Sequence, residues 1–162
     1  MKIVFVLLDS LNRNAMAPYG SDVVHTPNCT RFQERSITFD NHYVGSLPCM
    51  PARRDLHTGR NHFLHRSWGP LEPFDDSFPE LLKQNGVYSH LITDQHHYFA
   101  DGGATYHQRF STWELVRGQA IDRWKAEVEP DLAALKSAYH PVQHHRTNYM
   151  INRQSMTKEE DY

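Results

Sequence analysis

The chain opens with an uninterrupted apolar run, residues 3–8, that ends at Asp9. A short run of this kind, rich in β-branched residues, is typical of a strand buried on both faces of a parallel sheet. Residues 37–39 and 87–92 are predicted to be further strands, the second of them also buried. Because open α/β sheets bind ligands at the carboxyl ends of their strands, Asp9 occupies a position where a ligand is expected.

Helix-start signals lie between these predicted strands. Thr26 followed by Pro27 predicts a helix that runs to about Arg35. Ser77 opens a Ser-x-x-Glu capping box, and Gly86 is the natural stop of the helix that follows. Strand, helix and strand joined by short connections indicate right-handed βαβ units, so the predicted class is α/β with a mainly parallel sheet. Further helices are predicted at residues 120–128 and 131–139, with no strand pattern beyond residue 113.

Length and charge narrow the function classes. The 162 residues fit one domain, which can bury roughly 70% of the surface that its unfolded chain exposes. The net charge of -2, with lysines and arginines scattered along the chain, gives no support for a nucleic-acid partner. The apolar run at 3–8 is far shorter than the roughly 20 residues of a membrane helix, and too short for a signal-peptide core. We therefore expect a soluble, cytoplasmic protein with no membrane partner.

Cysteine and histidine usage gives two further expectations. The two cysteines, Cys29 and Cys49, are too few for a disulfide framework, so at least one is either reactive or buried as a small apolar residue. The twelve histidines include pairs at 96–97 and 144–145. Neither pair has the spaced pattern of a zinc site, so the sequence predicts no dedicated histidine metal cluster.

The stretch with the most specific pattern is residues 49–60, Cys-Met-Pro-Ala-Arg-Arg-Asp-Leu-His-Thr-Gly-Arg. It resembles the sulfatase signature, Cys-x-Pro-x-Arg followed by Leu-x-Thr-Gly, in which the cysteine is oxidised after translation to formylglycine. The resemblance covers about residues 2–130. It implies the N-terminal portion of a sulfatase-type catalytic domain of the alkaline-phosphatase superfamily, that is, part of a three-layer α/β sandwich.

The chemistry of formylglycine explains the pattern. Its hydrate carries two hydroxyls on one carbon, so one can attack sulfur or phosphorus and the other can later lose its proton and expel the anion. Pro51 favours a helix start, and a helix N-terminus favours an anionic group at Cys49. Arg53, one turn further, can hold the nucleophile and the developing charge with its planar fork. The competing interpretation is that Cys49 is an ordinary buried thiol and Arg53 a surface cation.

The resemblance also implies a metal site. Asp9 matches the aspartate that ends the family's opening strand and ligates the metal, and the residue derived from Cys49 is a second ligand. The implied ion is a hard divalent cation, calcium first, with manganese or magnesium as alternatives. Ser10 stands where most members have a second aspartate, which is similar to the phosphonate monoester hydrolases and phosphatases of the superfamily. The competing interpretation of Asp9 is a turn residue at a strand end, but its combination with Cys49 favours the metal ligand.

A third match follows the predicted strand at 87–92. In sulfatases the corresponding loop supplies polar and cationic groups to the substrate anion, which here implies His97 first, with Asp94 and His96 behind it. A solvated or structural histidine is the competing interpretation. Residues 113–119 also look like a stretch of bacterial sulfatase-like hydrolases, where it is structural.

The later metal ligands of the family, an Asp followed by His or Asn, have no counterpart after residue 60. We therefore expect residues 1–162 to lack the C-terminal half of the domain and to be inactive alone. The expected partners are a small-molecule sulfate or phosphonate ester and that missing half. An unpaired sheet edge would also favour a homo-oligomer.

The resulting hypothesis is metal-dependent hydrolysis of a sulfate ester, or of a phosphonate or phosphate ester, through formylglycine at residue 49. The sequence leaves sulfur and phosphorus open, because both anions are tetrahedral and need the same cationic groups. Two alternatives belong to other classes: a non-catalytic α/β binding module, and a metal phosphatase-like hydrolase with unmodified Cys49.

Overall fold

The computed structural model describes residues 1–100, 105–116 and 128–146. The chain divides into two compact units, Met1–Val44 and Gly45–Tyr162. The predicted helix at 120–128, except for its last residue, lies outside the described residues. No helix in the described part of the chain is long and apolar enough to cross a membrane.

The first unit contains one α-helix, α1, at Pro27–Gln33. It begins directly after Thr26, as predicted, with proline in its first turn. The Thr26 hydroxyl accepts a hydrogen bond from the Ala17 N–H at 3.0 Å instead of capping the helix. This bond holds α1 against the short 3-10 helix Ala17–Tyr19.

The predictions of strands at residues 3–8 and 37–39 are wrong. Neither segment has strand structure, and their apolar side chains are exposed; Val4, for example, is 87% exposed. A strand exists only where a neighbour pairs its N–H and C=O groups. Among the described residues the sheet has two strands, both in the second unit, so these segments have no strand to pair with.

The second unit contains α2 at Cys49–Thr58, α3 at Phe78–Gln84 and α4 at Leu132–Ser137. Gly59 ends α2 in the left-handed conformation, with φ +69°, which glycine adopts at no steric cost. The predicted helix at 131–139 is confirmed, because α4 begins after Asp131, whose carboxylate accepts the N–H groups of two helical residues.

The predicted boundaries of helix α3 are confirmed, but its predicted capping box is wrong. Gly86, with φ +73°, ends the helix as predicted. The Val87 N–H bonds to the Leu82 carbonyl at 2.9 Å, which is the long bond of a Schellman motif. The capping box does not form: the Ser77 hydroxyl makes no cap bond, and Glu80 pairs with Arg109 instead. Glu80 therefore pairs with a side chain from a later segment, and not with the backbone N–H of Ser77 as a capping box requires.

The sheet consists of β1, His90–Thr93, and β2, Thr112–Leu115, paired in parallel. The predicted strand at 87–92 is displaced towards the C-terminus, and it is not buried on both faces, since Ile92 is 64% exposed. Strand β2 was not predicted. Helices together with a small parallel sheet agree with a partial α/β alkaline-phosphatase-like fold.

The core of the second unit lies at the start of α2. Met50 and Tyr106 are fully buried, and the Tyr98 and Tyr106 rings stack with centroids 4.9 Å apart. Leu71 completes this cluster of buried side chains, and Cys49 packs against it. The first turn of α2 is therefore fixed by aromatic packing from residues about fifty positions later in the chain.

Next to this core, α2 carries a buried ion pair between Arg54 and Asp75. Arg54 Nη2 lies 2.7 Å from Asp75 Oδ2, and Nε donates to the same oxygen at 3.0 Å. Both residues are almost completely buried. Because α2 supplies the arginine and the segment before α3 supplies the aspartate, the pair ties these two parts of the chain together.

We expect Asp75→Asn to lower the free energy of unfolding by about 3–5 kcal/mol, because the Arg54 charge then stays buried without its carboxylate. Urea unfolding followed by circular dichroism measures the change. The matched control is Asp76→Asn, which removes an exposed ion pair with Arg60 at 3.6 Å. Such a pair contributes less than about 1 kcal/mol, so equal losses in the two variants would contradict the assigned role of the buried pair.

His57 is a second buried polar residue of α2. Its ring lies among aromatic rings, with centroids 5.1 Å from Tyr106 and 5.2 Å from Phe78. Burial, and to a smaller extent the charges of Arg53 and Arg109, lower the His57 pKa from 6.5 to about 3. The imidazole is therefore neutral in the folded protein at neutral pH.

This lowered pKa predicts a pH dependence of stability. The unfolded chain takes up a proton at His57 below about pH 6.5, and the folded chain does so only near pH 3. The contribution of the neutral His57 ring to the free energy of unfolding is therefore fully present above pH 6.5. This contribution is lost by up to about 1.4 kcal/mol per pH unit as the pH falls towards 3. We expect His57→Phe to reduce the loss of stability between pH 7.5 and 5.5 in urea unfolding.

The matched control for this prediction is His42→Phe, which changes an exposed histidine of the first unit. The slope in this control should differ from that in His57→Phe, which alone of the two removes the buried ring. His62 and His107, whose pKa values are also lowered, mainly by burial, keep the remaining slope in the His57 variant. An unchanged slope in His57→Phe would contradict the assigned burial effect.

Candidate active site

Cys49 is the first residue of α2 and is partly buried. The first N–H groups of a helix have no partner within it and carry the positive end of its dipole, so this position favours an anionic group. The side-chain amide of Gln95 adds a donor, with Nε2 at 3.6 Å from Cys49 Sγ. The sulfur therefore lies between a helix N-terminus and an amide.

Arg53 lies four residues after Cys49, so the two side chains share a face of α2. It is only 7% exposed, which rules out the interpretation as a surface cation. Arg53 Nη1 donates to the Tyr98 hydroxyl at 3.1 Å, and Cζ lies 5.2 Å from the Tyr98 ring centroid, within cation–π distance. The guanidinium is thus held by Tyr98, and Arg53 projects from the same face of α2 as Cys49.

The loop after β1 carries the predicted substrate contacts. Asp94 is exposed, His96 is buried and His97 is half-buried. The His96 and His97 rings have centroids 3.8 Å apart, and His97 meets the edge of Trp68 at 4.8 Å. The loop begins at the carboxyl end of β1, as predicted, and runs beside the start of α2.

Sequence reasoning missed the two residues of this loop that make the described contacts with the motif. Gln95 reaches Cys49, and Tyr98 binds Arg53. They face α2 together because the Tyr98 N–H bonds to the Gln95 carbonyl at 3.1 Å, which closes a tight turn. The available signal was their place in a polar and aromatic run that directly follows a strand.

Asp9 lies in the first unit. The Ser10 hydroxyl donates to Asp9 Oδ1 at 2.9 Å, and Ser10 has a φ of +57°. Within the described residues, no three His, Cys, Asp or Glu side chains cluster closely enough to hold a metal ion. The described donors do not make up a complete metal site, and Asp9 is one hard oxygen donor suited to it.

Comparisons with known proteins place these features in a family. The sulfatase family model matches residues 2–159. N-acetylglucosamine-6-O-sulfatase of Bacteroides thetaiotaomicron is 29% identical over 121 residues, which are 72% of this chain and 20% of that protein. Arylsulfatase H of Homo sapiens is 27% identical over 109 residues, 58% of this chain and 19% of the relative.

The chain spans about a fifth of the length of these curated relatives. No solved structure matches it. The family match extends over nearly the whole chain and includes the Cys-x-Pro-x-Arg motif, which lies at the start of α2. The chain belongs to the sulfatase family.

Proposed function

We propose that the protein containing this chain hydrolyses sulfate esters through a formylglycine derived from Cys49. The observation that carries the proposal is the placement of Cys49 at the N-terminus of α2 with the buried Arg53 one turn further. The names of the relatives favour sulfate over a phosphonate or phosphate ester. Because the chain spans about a fifth of those relatives, the activity is assigned to the longer protein.

Formylglycine supplies two hydroxyls on one carbon, which allow attack on sulfur and later release of the anion. The chain would stabilise the negative charge that develops at this position. The first turn of a helix has N–H groups without an intrahelical partner, which favour negative charge at residue 49. The Gln95 amide, which contacts the sulfur in the unmodified chain, would donate to the oxygen that replaces it.

Arg53 is the proposed charge stabiliser. A guanidinium is always protonated and offers planar N–H donors that match the oxygens of a tetrahedral anion. Its burial strengthens such an interaction, because little water competes with it. His97, supported by Asp94 and His96, is proposed to contact the substrate anion from the loop after β1.

Asp9 is the proposed first ligand of a divalent cation, calcium first, with manganese or magnesium as alternatives. The residue derived from Cys49 would be a second ligand. The other ligands are proposed to come from the part of the longer protein that the relatives have and this chain does not. A bound cation of this kind would neutralise the anionic oxygens of the ester.

We expect Cys49 to be converted when the chain is co-expressed with a formylglycine-generating enzyme. The change from CH2SH to CHO lowers the mass of the peptide that contains Cys49 by about 18 Da. Peptide mass spectrometry measures this loss. An unmodified thiol at Cys49 would contradict the proposed nucleophile and favour the phosphatase-like or non-catalytic alternatives.

Cys29 is the internal control for this measurement. It also lies in the first turn of a helix and is partly buried, but the Pro and Arg of the motif do not follow it. Its peptide should keep its mass. A loss at both cysteines would indicate unspecific oxidation and not recognition of the motif.

We expect the isolated, converted 162-residue chain not to hydrolyse 4-nitrophenyl sulfate, because its described residues do not complete a metal site. The family-length protein should release 4-nitrophenol, and Cys49→Ala in that protein should abolish the release. Absorbance of the product measures both. Comparable turnover by the homogeneous isolated chain would contradict the assignment of essential ligands to the remainder of the protein.

A further inference from the structure

We propose that Tyr98 is a positioning residue that fixes the orientation of the Arg53 guanidinium beside residue 49. The inference rests on the proposed function of Arg53 as a charge stabiliser. Tyr98 acts through Arg53 and is not itself assigned a contact with substrate. The family motif at residues 49–60 does not include it, and it comes from a loop nearly fifty residues later in the chain.

Two contacts of different kinds define the orientation of Arg53. The hydrogen bond from Nη1 to the Tyr98 hydroxyl, 3.1 Å long, fixes one nitrogen of the fork. The placement of Cζ 5.2 Å from the ring centroid brings the cation to the aromatic face of the same residue. One side chain therefore restrains both the position and the rotation of the guanidinium.

Tyr98 can restrain Arg53 because it is itself held firmly. Its ring stacks on Tyr106 with an interplanar angle of 19°, and both rings are buried. Its backbone carbonyl accepts a hydrogen bond from His107 Nδ1 at 2.9 Å. A side chain whose ring and backbone are both fixed loses little further entropy when its hydroxyl binds a partner.

The same turn also reaches Cys49 through Gln95. Gln95 and Tyr98 are joined by the backbone bond that closes the turn, so they contact α2 at the nucleophile position and one helical turn further. Cys49 and Arg53, one helical turn apart, are thus each contacted by a residue of the same tight turn. The loop and the helix hold each other in one arrangement.

The experiment measures the rotation of the Arg53 guanidinium by NMR in the full 162-residue chain. In the wild type, Arg53 should show two distinct Nη signals, because its rotation about the Nε–Cζ bond is restrained. Arg60, whose side chain is 55% exposed, is the internal reference and should show averaged signals. Averaged signals for wild-type Arg53 would overturn the proposal without any variant.

Tyr98→Phe then removes the hydroxyl but keeps the ring, its stacking and its cation–π contact. We expect guanidinium rotation to accelerate at least about tenfold, the effect of losing one hydrogen bond to a charged group. A purely structural role in core packing would leave the rotation rate unchanged, because the ring is retained. That outcome would also overturn the proposal.

Tyr106→Phe is the matched control. It removes a hydroxyl that is equally buried and reaches the backbone carbonyls of Met50 and Gly69, at 3.5 and 3.4 Å, and not Arg53. Arg53 rotation should stay at the wild-type rate in this variant. Equal acceleration in the two variants would mean that loosening of the core, and not the bond from Arg53 to Tyr98, sets the rotation.

In the family-length protein, the same Tyr98→Phe change should lower kcat by about tenfold and leave KM and the conversion of Cys49 unchanged. The two proposals fail separately. If the NMR rates respond as expected but the family-length protein hydrolyses no sulfate ester, the proposed function is wrong and the positioning contact stands. If it hydrolyses sulfate esters with kcat unaffected by Tyr98→Phe, the positioning role is wrong.

Discussion

The packing of the first turn of α2 against two stacked tyrosines is the contact on which the second unit depends. Met50 is completely buried against this stack, so the residues on either side of it have little freedom. Cys49 consequently lies at a fixed helix end, and Arg53 follows one turn later on the same face. The position of Cys49 is thus set by hydrophobic packing, and the loop after β1 adds a polar contact from Gln95.

Helix α2 also contains two consecutive buried arginines, whose described partners differ. Arg54 is paired with an ionised carboxylate, Asp75, which makes it a structural element of the unit. The described hydrogen bond from Arg53 goes to the hydroxyl of Tyr98. Burial mainly, and the charges of Arg53 and Arg109 to a smaller extent, lower the pKa of His57 on the same helix. In the proposed function, a buried guanidinium would interact strongly with an anionic substrate, because little water competes with it.

Local sequence signals were sufficient for the helices and insufficient for the sheet. Start and stop signals such as Thr26, Asp131 and Gly86 act within one turn of the chain, and the structure has helix boundaries at each of them. Strand β2, Thr112–Leu115, has too few residues to show a period, and its pairing with β1 is non-local. Gln95 and Tyr98 were missed for the same reason, since contacts across nearly fifty residues leave no pattern in either segment.

The segments that carry Cys49 and Asp9 therefore differ in what determines their structure. Cys49, Arg53 and their partners are assembled by contacts within one unit, so the chain itself determines their arrangement. Asp9 follows an apolar run with the composition of a buried strand, yet the run is exposed and unpaired among the described residues. Burying it requires a neighbouring strand, and so does fixing Asp9 at a sheet edge. The arrangement around Cys49 is thus determined within the second unit, whereas the position of Asp9, the proposed metal ligand, depends on strand pairing that the described part of the chain does not contain.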